Sequence, residues 1–144
     1  AASAFEGRPL DLDEQRFLER GRMPEKIQSF CREHDQPVPK TRGDFVRLIL
    51  ESLAADYRDK LGRMEDLIGE RVRVIHIVGG GARNELLCQW TADATGRRVV
   101  AGPAEATAMG NLLIQARAMG GLPEGASIRD VVRASTDLRT YAPQ

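Results

Sequence analysis

Three consecutive glycines, Gly79–Gly81, follow an apolar segment and precede a segment with the pattern of a helix. The apolar segment, residues 74–78, shows no strict alternation, so it predicts a strand covered on both faces, as in a parallel α/β sheet. Glycines lack a Cβ, so a ligand can approach the backbone closely at this turn. A helix that begins there presents unpaired N–H groups and the positive end of its dipole. The pattern indicates a nucleotide site, although a turn without a ligand fits the same residues.

Two common nucleotide motifs do not fit this turn. A P-loop requires Gly-Lys-Ser/Thr, which the chain lacks. A dinucleotide fingerprint requires a third glycine where Asn84 stands, and an acidic residue at the end of the next strand, where the chain has Ala101 and Gly102. The Asn84 side chain can donate and accept hydrogen bonds, so it either contacts a base or a ribose or caps the following helix. The residues alone leave both roles open.

Other residues with possible chemistry favour structural roles. Gly110 interrupts a helical pattern at a cost of about 1 kcal/mol, so it marks a close helix contact or the approach of a ligand. Cys31 and His34 are spaced like a metal pair, but no second pair is near in sequence, which favours a structural core pair. His76 and Cys88 are interpreted as buried structural residues. No Asp or Glu ends an apolar strand, where a general base is expected, so no catalytic constellation is complete.

The elements that position these residues follow from the apolar periodicity. A polar loop over the first 22 residues precedes five helices and two strands. Helices are expected at about 24–34, from Thr41 through Leu61 until Gly62 or Gly69 ends it, at 84–95, at 104–119, and from Ser127. Strands are expected at about 72–78 and at 98–101. Thr41 with Asp44, and Ser127 with Asp130, are the predicted caps.

Two strands are too few for the helices that accompany them. Residues 1–70 are interpreted as a loop and two helices, and residues 71–144 as a strand, a glycine loop, a helix, a strand and a helix. A sheet of two strands cannot cover the apolar faces of so many helices. We therefore expect that the chain either pairs with a partner or is part of a larger fold.

The composition excludes several classes of protein. The 144 residues carry 21 basic and 21 acidic side chains, so neither a nucleic-acid surface nor a polybasic membrane patch is expected. No apolar run approaches the ~20 residues that cross a bilayer, and the amino terminus lacks the pattern of a signal peptide. Two cysteines do not make a disulfide framework. We expect a cytoplasmic protein, and the lack of an initiator Met suggests a piece of a longer one.

Several segments together resemble the carboxyl-terminal lobe of the FGGY carbohydrate kinases, a branch of the actin-like ATPases. The segments that carry the resemblance are 23–33, 36–39, 75–81, 91–96, 99–100 and 102–110. The resemblance implies an α/β fold, with the chain as the carboxyl-terminal portion of domain II. That portion belongs to an actin-like, ribonuclease H-like lobe that is helix-rich with a small parallel sheet.

The resemblance also implies roles for individual residues. In this family the strand, the glycines and the asparagine form the adenine side of the ATP site. By position, Gly80 and Asn84 would contact the adenosine, and Gly79 and Gly81 would shape the loop. The sugar contacts, the phosphate loop and the catalytic Asp of the family all precede the region resembled here. The catalytic base therefore has no counterpart in this chain.

Within the family, the residues most resemble the branch that phosphorylates the 1-hydroxyl of L-rhamnulose to L-rhamnulose 1-phosphate. The expected cofactors are ATP and Mg²⁺, and the expected partner is a ketose sugar. This chain alone is expected to be inactive and to bind ATP weakly. Two alternatives stay open: a kinase for another ketose or polyol (xylulose, ribulose or glycerol), and a non-catalytic interaction module. A fragment with open sheet edges is also prone to form a homodimer.

Overall fold

The computed structural model describes residues 5–123 and 125–144. These residues form two compact units, which divide between Arg71 and Val72. The first unit contains α1 (Gln15–Leu18), α2 (Met23–Glu33) and α3 (Arg42–Ile68). The second contains β1 (Val74–Ile77), a 3-10 helix (Gly79–Arg83), α4 (Glu85–Thr95), β2 (Arg98–Ala101), α5 (Ala106–Ala118), α6 (Ile128–Ser135) and β3 (Arg139–Tyr141). Within the described ranges, no helix has both the length and the apolar character that a membrane span requires.

Helix α3 begins where its residues predict and ends at the second of the two predicted glycines. The Asp44 N–H donates to Thr41 Oγ1 over 3.2 Å and the Thr41 N–H donates to Asp44 Oδ2 over 2.8 Å, which confirms the capping box. Gly69, at φ 70°, ends the helix in the left-handed region. Of the two glycines expected to end the helix, Gly69 does so and Gly62 does not. Gly62 is tolerated inside the helix because a single interior glycine costs only about 1 kcal/mol.

The segment before α2 is not the polar loop that was predicted. Leu10 is buried in the core of the first unit, and its N–H donates to the buried Ser52 Oγ over 2.9 Å. Phe17, on the unpredicted short helix α1, packs against the same core. The core consists of Leu10, Ile27, Phe30, Cys31 and Leu48. Apolar side chains without a regular period can therefore still be buried when tertiary contacts hold them.

The second unit contains a mixed sheet in the order β1-β2-β3. Strands β1 and β2 are parallel, as expected, with Ile75 opposite Val99. Strand β3 was not predicted, and it pairs antiparallel with β2, with Tyr141 opposite Val99. The helix-rich α/β class is confirmed, but the sheet is mixed and not purely parallel. The predicted bounds of β2 agree with the structure, and Gly96, at φ 64°, ends α4 as expected.

One face of β1 is covered and the other is open among the described residues. Ile75 and Ile77 pack on a cluster formed by Cys88, Ala92, Val99 and Ala101. Alternation along the strand places His76 on the opposite face, where it is exposed, and Val78 beyond the strand is 52% exposed. The predictions of a strand covered on both faces and of a buried His76 are therefore wrong here.

Candidate functional site

The glycine turn after β1 is tied to the turn after β2. Gly79 has φ 74°, and its N–H donates to the Pro103 carbonyl oxygen over 3.1 Å. The Gly102 N–H donates to the Ile77 carbonyl oxygen over 2.8 Å. Position 79 needs glycine because L-residues with a side chain rarely adopt a positive φ. The two hydrogen bonds fix the carboxyl ends of the parallel strands beside each other.

The next two glycines of the turn differ in what surrounds them. A Cβ at Gly80 would meet no heavy atom within 4 Å, and its φ is not positive, so the backbone there faces open space. A Cβ at Gly81 would lie 3.4 Å from Ile77 Cγ2 and 4.0 Å from Leu87 Cδ2, so that side faces packed side chains. Gly80 is therefore the position at which a ligand can lie against the bare backbone.

Asn84 connects the glycine turn to α4. Its Oδ1 accepts a hydrogen bond from the Leu87 N–H over 3.1 Å, so Asn84 is the N-cap of α4. The α-helix was expected to follow the glycines directly. It does not, because Gly79–Arg83 first form a 3-10 helix. Asn84 then adopts an extended conformation, with φ −92° and ψ 96°. The residues alone left two roles open for Asn84, contact with a nucleotide or capping of the helix. The observed hydrogen bond corresponds to capping.

A cleft of about 250 Å³ adjoins the turn. It is lined by Ala82, Arg83, Ala101, Gly102, Ala104, Asp137 and Arg139. Arg83 Nη2 lies 2.9 Å from Glu105 Oε1, and Arg139 pairs with Glu85 on the first turn of α4. The edge of the cleft therefore carries paired charges of both signs. Asp137 and Arg139 were not predicted, because β3 and the segment before it carry no recognisable pattern in the sequence.

The remaining candidate residues do not assemble into a second site. Cys88 is fully buried, as predicted, and burial, followed by the negative charge of Glu85, raises the pKa of its thiol. Cys31 is also buried, but His34 is exposed and stacks on Phe30 with ring centroids 4.0 Å apart, so the prediction of a core pair is wrong for His34. His34 lies outside the core because α2 ends at Glu33.

Two further predictions concern α5 and α6. A Cβ at Gly110 would meet no heavy atom within 4 Å, so a close helix contact is not found there among the described residues. Ser127 precedes α6 as expected, but its side chain makes no cap hydrogen bond, and its backbone carbonyl accepts from the Asp130 N–H over 3.0 Å. Within the ranges that the structure describes, no three His, Cys, Asp or Glu side chains are grouped as a metal site would require.

Comparison with known proteins gives consistent matches. Residues 10–119, more than half of the chain, match the model of the FGGY family of carbohydrate kinases, C-terminal domain. The chain is 45% identical over 135 residues to a rhamnulokinase of Bacteroides thetaiotaomicron, which covers 94% of this chain and 28% of that protein. It is 36% identical over 133 residues to a rhamnulokinase of Oceanobacillus iheyensis. This match covers 92% of this chain and 28% of that protein.

A solved structure is also similar. The crystal structure of xylulose kinase from Rhodospirillum rubrum matches with a TM-score of 0.51 and 26% sequence identity, over 75% of this chain and 22% of that one. The chain thus spans 28% of the length of the two curated relatives.

Proposed function

This chain belongs to the FGGY family of carbohydrate kinases, and we propose that it contributes the adenosine-binding part of a kinase that acts on L-rhamnulose. In the proposed reaction, the 1-hydroxyl of the sugar attacks the terminal phosphorus of ATP and ADP leaves, which gives L-rhamnulose 1-phosphate. The chain would also form the carboxyl-terminal portion of domain II of that kinase. The observation that carries the proposal is the uncovered backbone at Gly80, next to the cap residue Asn84.

The four residues of the turn divide into two roles. Gly79 and Gly81 shape the loop, the first through its positive φ and the second by fitting against Ile77 and Leu87. Gly80 and Asn84 contact the adenosine, because a Cβ at position 80 would occupy space that is otherwise open.

The charges around the cleft favour the base and ribose end of the nucleotide. Arg83 and Arg139 each pair with a carboxylate, Glu105 and Glu85, and Asp137 adds a further negative charge. A triphosphate requires cations or N–H groups that are not already neutralised. We therefore place the adenosine at this edge, with the phosphates directed toward groups contributed from outside these residues.

Magnesium and the catalytic base have no candidates in the described residues. The side chains there form no cluster that suits a metal ion, so Mg²⁺ would be held through the phosphates and by other parts of the kinase. Val78 and then Gly79 follow β1, and Gly102 follows β2, so neither strand is followed directly by an Asp or a Glu. We therefore propose that this chain alone transfers no phosphoryl group and contributes only to nucleotide positioning; transfer by the isolated chain would overturn this.

The sugar is inferred from the relatives. Identity to the two rhamnulokinases is 45% and 36%, whereas the structurally similar xylulose kinase is 26% identical. We therefore propose L-rhamnulose ahead of xylulose, ribulose or glycerol as the substrate.

A kinase assay on the protein expressed from its complete reading frame tests the proposal. Purified protein is supplied with Mg-ATP and, in separate reactions, L-rhamnulose, D-xylulose, D-ribulose and glycerol, and ADP release is measured. We expect the highest kcat/KM with L-rhamnulose. Gly80→Arg should raise the KM for ATP, whereas Gly62→Arg, at an equally open glycine inside α3, should not. A higher kcat/KM for another sugar would contradict the substrate, and no ADP release with any of them would contradict the kinase.

A further inference from the structure

We propose that a cleft between β1 and α6 holds an acidic amphipathic helix of the same kinase, whose carboxylates pair with Arg129 and Arg133. This helix belongs to a part of the polypeptide outside the 144 residues of this chain. The inference concerns how this portion joins the rest of its kinase, and it does not depend on the proposed nucleotide site.

The parallel strands β1 and β2 are covered on one face only. Ile75 and its partner Val99 lie on the face that packs against α4. Alternation along the strands places His76 and its partner Val100 on the opposite face, where His76 is exposed and Val100 is half-buried. Parallel strands occur almost only where both faces are covered, usually by helices. The open face is therefore expected to receive a helix.

A cleft of about 450 Å³ lies between this open face and α6, and we call it the α6 cleft. Its apolar lining includes Val78, Ile128, Val132 and Leu138. Val78 and Leu138 are exposed, and the other two are half-buried. Contiguous apolar surface that is open to solvent marks an interaction site. The occupant of the α6 cleft must therefore present apolar side chains to it.

Two arginines beside this apolar lining lack a partner. Arg129 and Arg133 are four positions apart and so lie on one side of α6, where both are exposed. In the part of the chain that the structure describes, neither forms an ion pair, and no Asp or Glu lines the α6 cleft. In the neighbouring cleft, by contrast, Arg83 and Arg139 each pair with a glutamate. Covering a charge without a partner is costly, so a segment that covers the apolar lining must bring carboxylates.

The occupant is a helix of the same polypeptide because most of such a kinase lies outside these residues. The chain spans 28% of the length of the two curated relatives. A helix from the remaining part would cover the open face of the sheet in the way that parallel strands require. Carboxylates spaced by three or four positions on that helix would face Arg129 and Arg133, which have the same spacing on α6.

Photo-cross-linking of the protein expressed from its complete reading frame identifies what lies in the α6 cleft. Leu138→p-benzoylphenylalanine keeps an apolar side chain in the lining and leaves both arginines in place. After irradiation, mass spectrometry locates the linked peptide. We expect a peptide from outside residues 1–144 of the same molecule, with Asp or Glu residues spaced by three or four positions. A link to residues 1–71, a link between two copies, or no link at all would overturn the inference.

Charge reversal in the same protein tests the pairing itself. Arg129→Glu and Arg133→Glu should each lower the thermal midpoint. Arg117→Glu is the matched control, at an exposed arginine of α5 that does not line the α6 cleft, and it should leave the midpoint unchanged. Replacing the linked carboxylate by arginine should also lower the midpoint, and combining this change with Arg133→Glu should recover much of the loss, because the exchanged charges pair again. An equal loss in Arg117→Glu, or no recovery in the combined variant, would overturn the inference.

Discussion

The N–H of Gly79 donates a 3.1 Å hydrogen bond to the carbonyl oxygen of Pro103, which joins the turns that follow the two parallel strands. Gly79 makes this hydrogen bond at φ 74°, a conformation that most residues avoid. The next residue, Gly80, has no such restriction and faces open space. The adjacent glycines therefore differ: Gly79 needs a positive φ, whereas Gly80 faces the open space in which we propose that the adenosine lies.

Alanine substitutions distinguish these two backbone positions. Gly79→Ala should lower the free energy of unfolding by about 1–2 kcal/mol, because the left-handed conformation is strained for alanine. A Cβ there would be 3.9 Å from the Ala104 carbonyl oxygen, so steric contact adds little. Gly80→Ala should change the free energy of unfolding by less than about 0.5 kcal/mol. Urea denaturation followed by circular dichroism gives both values, and equal losses would contradict the assignment.

A substitution in the core of the sheet should lower the free energy of unfolding by more. Val99 is fully buried between Ile75 on β1 and Tyr141 on β3. Val99→Ala should lower the free energy of unfolding by about 2 kcal/mol, because it removes buried methyl groups and leaves a cavity. Val46→Ala, at a position 52% exposed on α3, is the control and should cost less than about 0.5 kcal/mol. A small loss at Val99 would show that the sheet is not packed as described.

An ion pair of the first unit should make stability depend on acid pH. Hydrogen bonds from Arg16, and then from Ser29, lower the pKa of Glu33 to about 2. A carboxyl group with a lowered pKa stabilises the folded state above its ordinary pKa of about 4.3, and this contribution is lost as the pH falls toward 2. Glu33→Gln should therefore reduce the fall in thermal midpoint between about pH 5 and pH 2.

Calorimetric scans of the unaltered protein and of Glu33→Gln measure this difference. The effect should be small, because the pair is exposed to solvent and screened by salt. Arg16→Gln, which removes the other partner, should flatten the same acid limb. Parallel acid limbs in all three proteins would contradict the assignment.

Both cysteines should be unreactive in the folded protein. Cys31 and Cys88 are fully buried, and burial is the main cause that raises the pKa of each thiol. A thiol reagent acts on the exposed thiolate, so labelling at about pH 8 should be slow until the chain is unfolded with denaturant. Mass spectrometry after timed labelling measures the rate at each site. Rapid modification of Cys88 under native conditions would show that α4 is not packed on the sheet as described.

Local patterns predicted much of this fold. Thr41 with Asp44, and Gly96 after α4, were identified because caps and left-handed end residues depend on neighbours within one turn. The glycine turn and Asn84 were found for the same reason. Their roles in contacting the adenosine were inferred only when the turn was considered together with the other segments that resemble the family.

Contacts between distant residues account for what was missed. Strand β3 has three residues, and it is fixed by pairing with β2 and by the Arg139–Glu85 contact, which spans 54 positions. Leu10 is buried in the core of the first unit, and its N–H donates to Ser52 Oγ, 42 positions away. The exposure of His76 depends on which elements cover β1, and the local pattern carries no information about that.

ATP binding by Gly80→Arg, compared with Gly62→Arg, tests the central claim most directly. Both glycines have open space at the Cβ position and neither has a positive φ, so neither substitution should disturb the fold. If the adenosine lies against Gly80, its arginine variant should bind ATP about tenfold more weakly or worse, since a clash of about 1–3 kcal/mol is expected, while Gly62→Arg binds normally. Unchanged ATP affinity in Gly80→Arg, with the fold intact, would contradict the account.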